Sequence, residues 1–299
     1  MIQMNTTKCQ ILLKAVELGS ITRAAEALGY TQSAVSRAVA DLEREWDVAL
    51  LTRNRSGTVL TSQGEALLPY LQALCNAGRE LETQVAALHG LTRGTLRVGT
   101  FASASIQLLP AIMKEFMGLY PGIRFELLCC WEFAQVEDLI RRGQADCGFL
   151  GLPVGPDLET FPLFRDQLMA ILPPDHPLSQ APFYPMARFA EDPFIRVPED
   201  RDVEFGRIFQ QAGVRPNLHY TVNDDFAIQA MVEQGLGVSI QPELILQNSG
   251  HRFAAIPLEQ PHFRDLVLAV RRGRAPSVLT ARFVDCVRRW IGQAHPSGA

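Results

Sequence analysis

Near the N-terminus, Arg23, Thr31, Gln32, Ser33, Ser36, Arg37, Arg53 and Arg55 are residue types that read nucleic acid. Gln and Arg side chains can bond base edges in a major groove, and Ser or Thr can bond base or phosphate. The spacing puts Gln32, Ser33, Ser36 and Arg37 on one face of a helix. The acids Asp41, Glu43 and Glu45 follow toward its far end. The N-terminal half is therefore small, hydrogen-bonding and basic, where the helix dipole favours phosphate. Bulk charge adds nothing. The chain carries −4 overall, and its residues through Ser62 hold seven basic against six acidic side chains. Any affinity for DNA has to come from where a few side chains point.

The flanking pattern supplies the elements that would aim them. Cys9, Leu12, Leu13 and Val16 follow the spacing of an amphipathic helix. Ser20 is placed to cap a second helix whose apolar stripe is Ile21, Ala24, Ala25 and Leu28, and Gly29 permits a sharp turn. Thr31 caps a third helix, with Val35, Val39, Leu42 and Trp46 as its buried face. In "LLTRNRSGTVLT", two short β-compatible runs flank a turn and predict a hairpin wing carrying Arg53 and Arg55 beside the duplex backbone. The competing reading is an amphipathic helical pair docked on the rest of the protein.

Leu67, Leu71, Leu74, Gly78, Leu81, Val85 and Leu88 then keep a +4, +3 spacing, the narrow seam of a helix that wants a partner. Homodimerisation fits this best, because helix-turn-helix proteins read paired half-sites; docking within the chain is the alternative. Pro69 should strain the first turns, and "HGLTRG" at 89–94 breaks the helix as a hinge.

From Thr95 onward strands and helices alternate, which predicts parallel sheets covered by helices. "TLRVGT", "RFELLCC", "ADCGFL", "QLMAILP", "FIRV", "LHYTV", "GVSIQ" and "RDLVLAVRR" are the expected strands. Ligands of such sheets bind outside the carboxyl ends of the strands. That rule selects Thr100, Phe101, Ala102, Ser103, Trp131, Glu132, Phe149, Gly151, Arg196, Pro198, Asn223, Asp224 and Gln241. Helix capping is the plainer role for Thr100 and Asn223, and core packing for Phe149. The rings favour a flat or apolar body and Arg196 a carboxylate, whereas Glu132, Asp224 and Asp225 disfavour a strongly anionic ligand or pair with an amine. No nucleophile elbow, P-loop, zinc-protease or dinucleotide motif is present, so an enzyme is not expected, nor a cofactor or metal. The six cysteines lack metal or disulfide spacing, and at least one of the adjacent Cys129 and Cys130 should point into a core, with a redox role the lesser reading. No apolar run approaches the roughly 18 to 20 residues of a membrane span and no secretory signal is seen, so a cytoplasmic protein is expected.

Leu12, Val16, "GSITRAAEALGYTQSAVSRAVADLE" and "LLTRNRSGTVLTSQG", in that order, resemble the winged helix-turn-helix of LysR-type transcriptional regulators. Leu12, Ile21 and Leu51 stand where that family commonly has Phe, and Ser33 where it has Pro; the first three alter packing rather than readout, and Ser33 adds a potential donor. The resemblance implies an α/β protein overall. Residues 1–62 would be a mostly α winged helix-turn-helix DNA-binding domain, and 63–93 a long linker helix, dimer contact and hinge. Residues 94–299 would be a two-lobed effector domain of periplasmic-binding-protein type, with lobe 1 about 94–163 and 267–299 and lobe 2 about 164–266. It further implies a sequence-specific regulator of transcription that binds double-stranded promoter or operator DNA and is modulated by a small-molecule effector between the lobes. Such effectors are commonly small carboxylates or aromatic acids, an amino acid being another candidate. The homodimers would assemble into homotetramers. A ligand-independent DNA-binding regulator, with lobes serving oligomerisation only, is the alternative.

Overall fold

The computed structural model describes residues 4–54, 57–88, 93–198, 203–273 and 275–294. They divide into two compact units. One runs to Thr92 and takes in Arg141–Gln144; the other holds the remainder.

In the first unit, Asn5 caps α1 (Thr6–Leu18) by accepting from the Lys8 amide, and Gly19 ends it in the left-handed region at φ 60°. Ser20 caps α2 (Ile21–Leu28) and Thr31 caps α3 (Gln32–Trp46), each accepting from the amide three residues on. Between them Gly29, at φ 69°, makes the turn. Ala24 and Ala25 pack with Ala15 and Val35, their short side chains letting the helices approach closely. Strands β1 (Leu51–Asn54) and β2 (Gly57–Leu60) form the antiparallel wing. The wing docks on the turn after α1, where the Thr58 amide donates to the Gly19 carbonyl at 2.9 Å; a Cβ on Gly57 would overlap that oxygen.

Helix α4 (Ser62–Leu88) runs through Pro69. Its seam serves two purposes, which corrects the expectation of one continuous partner face. Leu67, Leu71, Leu74 and Cys75 pack onto Cys9, Leu12, Leu42 and Leu50 of their own domain. Fully burying a leucine contributes roughly 1.5 to 3 kcal/mol, so this half of the seam is committed to the fold. Leu81 is 66% exposed and Val85 47%, and with Tyr70 and Ala77 they line an adjacent face. The side chain of Leu88 and most of the expected hinge, 89–92, lie outside the described residues.

The second unit is built on a seven-stranded sheet in the order β10-β6-β11-β5-β3-β4, with β9 also paired to β6. Lobe 1 holds β3 (Gly94–Phe101), α5 (Ala102–Gln107), α6 (Leu109–Leu119), β4 (Ile123–Cys130), α7 (Phe133–Arg141), β5 (Cys147–Gly151) and the closing helix α11 (Val278–Ala294). Here β3 pairs in parallel with β4 and β5, as expected. Strand β6 (Leu158–Leu172) is 15 residues long and begins well before the expected "QLMAILP". It runs out of lobe 1 beside its antiparallel partner β11 (Phe263–Arg271). Their register shifts between Leu266 and Val267, leaving Leu163 as the extra residue opposite.

Lobe 2 contains β7 (Phe194–Arg196), α8 (Val203–Ala212), β8 (Leu218–Thr221), α9 (Asp225–Glu233), β9 (Ser239–Pro242), α10 (Glu243–Leu246) and β10 (Ala254–Pro257). The expectation of parallel sheets fails here in part. Strands β9 and β10 both pair antiparallel with β6, and only β7 with β8 is parallel. Strand β10 was not anticipated. Its four residues have no alternation to distinguish them from loop. The lobe core gathers Tyr184, Phe189, Phe194 and Phe209 with mutually edge-on rings. Cys130 packs at the margin of the lobe 1 core while Cys129 is exposed, as alternation on an edge strand requires.

Candidate functional site

Two sites emerge, one in each unit. In the first, Val35, Val39 and Leu42 fix the buried side of α3, which turns Gln32, Ser33, Arg37 and Ala40 to solvent and leaves Ser36 half-buried. Thr31 spends its oxygen on the Ala34 amide at 3.2 Å and shares a hydrogen bond with Ser33 Oγ at 3.0 Å. Arg23 is exposed on α2, with one long contact of 3.5 Å to the Leu18 carbonyl. Arg53 lies on β1 opposite Thr58, but its side chain, like all of Arg55, falls outside the described residues.

The acids of α3 are turned to structural use. Glu43 Oε1 accepts from both the Leu50 and Leu51 amides, at 2.8 and 3.0 Å, and so fastens the start of the wing. Lys8 of α1 meets Glu45 at 2.7 Å and Asp41 at 3.5 Å, and Arg44 also pairs with Asp41. Partial desolvation pushes the Asp41 carboxyl upward, but Lys8 and Arg44 more than offset it and hold it below the usual aspartate range. What α3 presents at its free end is polar and basic.

The second site is a cavity of about 420 Å³ at the carboxyl ends of the lobe 1 strands. Phe101, Ala102 and Ser103 form one wall where β3 passes into α5; Trp131, Glu132 and Gly151 continue it. These six were expected from the strand-end rule. Lobe 2 answers with Val197, Phe205, Arg207, Asp225, Ile240 and Pro242. Phe101 and Phe133 meet edge to face at 5.0 Å, and Gly151 has no side chain because a Cβ would collide with the Phe133 ring.

The floor of the cavity is Arg264, which sequence reasoning missed. Arg264 is 9% exposed and Asp166 3%. The guanidinium donates to Asp166 Oδ2 at 2.7 Å through Nε and to Ser103 Oγ at 2.8 Å through an Nη, and it lies 5.2 Å from the Phe101 ring centre. Asp166 Oδ1 also accepts from the Leu244 amide at 2.9 Å, where α10 starts. One ion pair thus joins β6, β11, α10 and the first turn of α5. Its signal in the sequence is only that an Asp and an Arg interrupt apolar strands.

Seven expected residues do not line the cavity, mostly through one-residue parity. Thr100, fully buried, bonds within its own turn while Phe101 faces the cleft. Arg196 gives way to Val197, and Gln241 to Ile240 and Pro242. Gln241 instead accepts from Gln229 and donates to the Asp225 carbonyl, both at 2.9 Å. Asp224 caps α9 by accepting from the Phe226 and Ala227 amides, so the next residue, Asp225, reaches the lining. Phe149 belongs to a strand buried on both faces. Pro198 and Asn223, past the ends of β7 and β8, are not in the lining. A more open groove of about 670 Å³ between α6 and α11 touches no carboxyl end of the parallel strands. Among the described residues, no group of three His, Cys, Asp or Glu is arranged to hold a metal, and no helix is long and apolar enough to cross a membrane.

Residues 7–65 match the family described as bacterial regulatory helix-turn-helix protein, lysR family, and residues 89–292 match the LysR substrate binding domain. A probable HTH-type transcriptional regulator, LrrA of Synechococcus elongatus, is 32% identical over 99% of this chain and 100% of its own. Full-length CbnR, solved with its target DNA, superposes with a TM-score of 0.69 at 23% identity, covering 96% of this chain and 99% of that one. The effector-binding domain of QuiR, solved with shikimate, superposes with a TM-score of 0.61 at 19% identity, covering 68% of this chain and 99% of its own.

Proposed function

The chain belongs to the LysR family of DNA-binding transcriptional regulators, which are not enzymes, and from that premise we propose how its own residues carry out regulation. The end of α3 enters the major groove. Gln32, Ser33, Ser36 and Arg37 read base edges or phosphate there. Arg23, Thr31, Arg53 and Arg55 hold the flanking backbone, which fixes register without reading sequence. The open face of α4, with Leu81 and Val85, pairs with a second copy, and two such homodimers form a homotetramer on paired half-sites of a promoter. The protein works in the cytoplasm, where promoter DNA is found.

The 420 Å³ cavity takes the effector, with Phe101, Ala102, Ser103, Trp131, Glu132 and Gly151 as its lobe 1 contacts. Binding that favours one relative placement of the lobes shifts the population of DNA-binding states by its differential affinity. The observation that carries this reading is the order of elements: a capped reading helix and wing, a helix with a free apolar face, then a cleft between two lobes. The DNA complex of CbnR and the shikimate complex of the QuiR domain support it by likeness of fold.

Footprinting of the gene's own promoter at low salt, with and without a metabolite panel screened by thermal shift, is the test. Protection of paired half-sites and a panel compound that raises the melting temperature and alters the footprint are expected. A folded dimer that protects no promoter would sink the DNA reading. Protection unaffected by any compound would leave a ligand-independent regulator.

A further inference from the structure

We propose that the cavity selects a ligand carrying an ammonium group on an apolar or aromatic body, with the Glu132 carboxylate as its counter-charge. This rests on the reading of the cleft as the effector site and names the chemistry that the site takes. The devices around the cavity that attract anions are largely answered by the protein's own carboxylates. Arg264 is bound to Asp166, and Asp166 also accepts from the Leu244 amide in the first turn of α10. The start of α9 is capped by Asp224.

On the acidic side the balance runs the other way. Glu132, Glu137 and Asp225 all line the cavity. Glu137 accepts from the Gly155 amide at 3.2 Å, whereas the Glu132 carboxylate has no hydrogen bond or ion pair among the described residues. With Arg264 answered by Asp166, the Glu132 carboxylate is what the lobe 1 wall offers to a charged guest, so a bare anion beside it meets like charge and an ammonium meets opposite charge. The walls suit the same guest. Trp131, 57% exposed beside Glu132, stands with Phe101, Phe133 and Phe205 around the space, and aromatic faces attract cations. Arg207, exposed on α8, lines the opposite lobe and takes a carboxylate where the ligand also has one. Amines and amino acids therefore share the recognised group, and carboxylates lacking a cation do not have it.

Three compounds of one skeleton separate these arms: phenethylamine, L-phenylalanine and 3-phenylpropionate, each titrated into the full-length protein at millimolar concentration. Thermal shift and tryptophan fluorescence are the readouts. Stabilisation by at least one of the two ammonium compounds, about tenfold tighter than by 3-phenylpropionate, is expected. Glu132→Gln should remove that advantage, weakening the ammonium compounds and, with the like charge gone, binding 3-phenylpropionate no less tightly than before. Asp138→Asn, on the outer side of α7, should retain the advantage. L-phenylalanine alone responding assigns an amino acid, with Arg207→Gln then weakening it; both responding assigns an amine. Tighter binding of 3-phenylpropionate, or an advantage that survives Glu132→Gln, overturns the proposal and leaves the cleft reading intact. Silence from all three, with a shift from an anionic metabolite in the broader panel, does the same. Silence from every compound in both screens overturns both readings.

Discussion

Arg264 and Asp166, on neighbouring strands, form an ion pair 2.6 Å apart almost wholly out of solvent, and the same guanidinium reaches Ser103 in the other lobe's share of the cavity wall. Desolvating two charges is expensive, so the pair contributes less to stability than its attraction suggests, but breaking it strands a charge. Arg264→Ala is therefore expected to destabilise the effector unit by roughly 3 to 5 kcal/mol. Ser103→Ala removes one hydrogen bond to a charged group and should cost about 1.5 to 3 kcal/mol. Urea unfolding measures both; equal losses would mean that the pair is not the buried charge described.

Arg37→Ala is expected to lose about 1 to 3 kcal/mol of operator affinity while changing binding to unrelated duplex far less. Arg44→Ala should change neither, since its partner Asp41 lies at the far end of α3. Fluorescence anisotropy with matched and scrambled duplexes distinguishes them. An Arg37→Ala loss equal on both duplexes would make Arg37 a phosphate contact.

Glu43 sets two effects against each other. Removing an acid from the reading helix should by charge alone tighten DNA binding. Glu43→Ala also strips the Leu50 and Leu51 amides of their acceptor, and stranding a half-buried amide costs about 1 to 3 kcal/mol. The second effect is larger than one screened charge on a solvent-exposed helix. Lower stability with weaker operator binding is expected; tighter binding at unchanged stability would refute the wing-fastening role.

Leu81→Glu, on the open face of α4, should yield monomers in sedimentation velocity while leaving the fold intact. Leu71→Ala should instead lower the stability of the DNA-binding unit by roughly 2 to 5 kcal/mol, because Leu71 is packed within its own domain. If Leu81→Glu stays dimeric, the partner face lies elsewhere.

Burial pushes the Cys75 thiol up to about 11 and the Cys147 thiol well above its ordinary value. Thiolate is the reactive form, and both sulfurs are also buried. Iodoacetamide at pH 8 is expected to label Cys129 first, with Cys75 and Cys147 reacting only on unfolding; peptide mass spectrometry gives the order.

The winged unit was legible because each of its features is local. Caps at Ser20 and Thr31, the turn at Gly29 and the stripe of α3 all depend on residues within a turn or two. The cleft was legible only as a region. Along a strand one residue separates inside from outside, and Thr100 against Phe101, or Arg196 against Val197, is decided by pleat parity that composition does not reveal. Asp224 against Asp225 was settled by which carboxylate the helix start consumed. Arg264 joins strands far apart in sequence, and no spacing rule connects it to Asp166 or Ser103.

The acids of α3 bound to Lys8 and to the wing have a kinetic meaning as well. A DNA reader coated in positive charge lingers on every stretch of genome and spends its time on wrong sites. On the proposed reading, attraction comes from a few basic side chains at the end of α3, on α2 and on the wing of a chain that is acidic overall, and the grip on arbitrary sequence is then expected to be brief. Occupancy of the correct promoter then depends on the ratio of right to wrong dwell times rather than on raw stickiness.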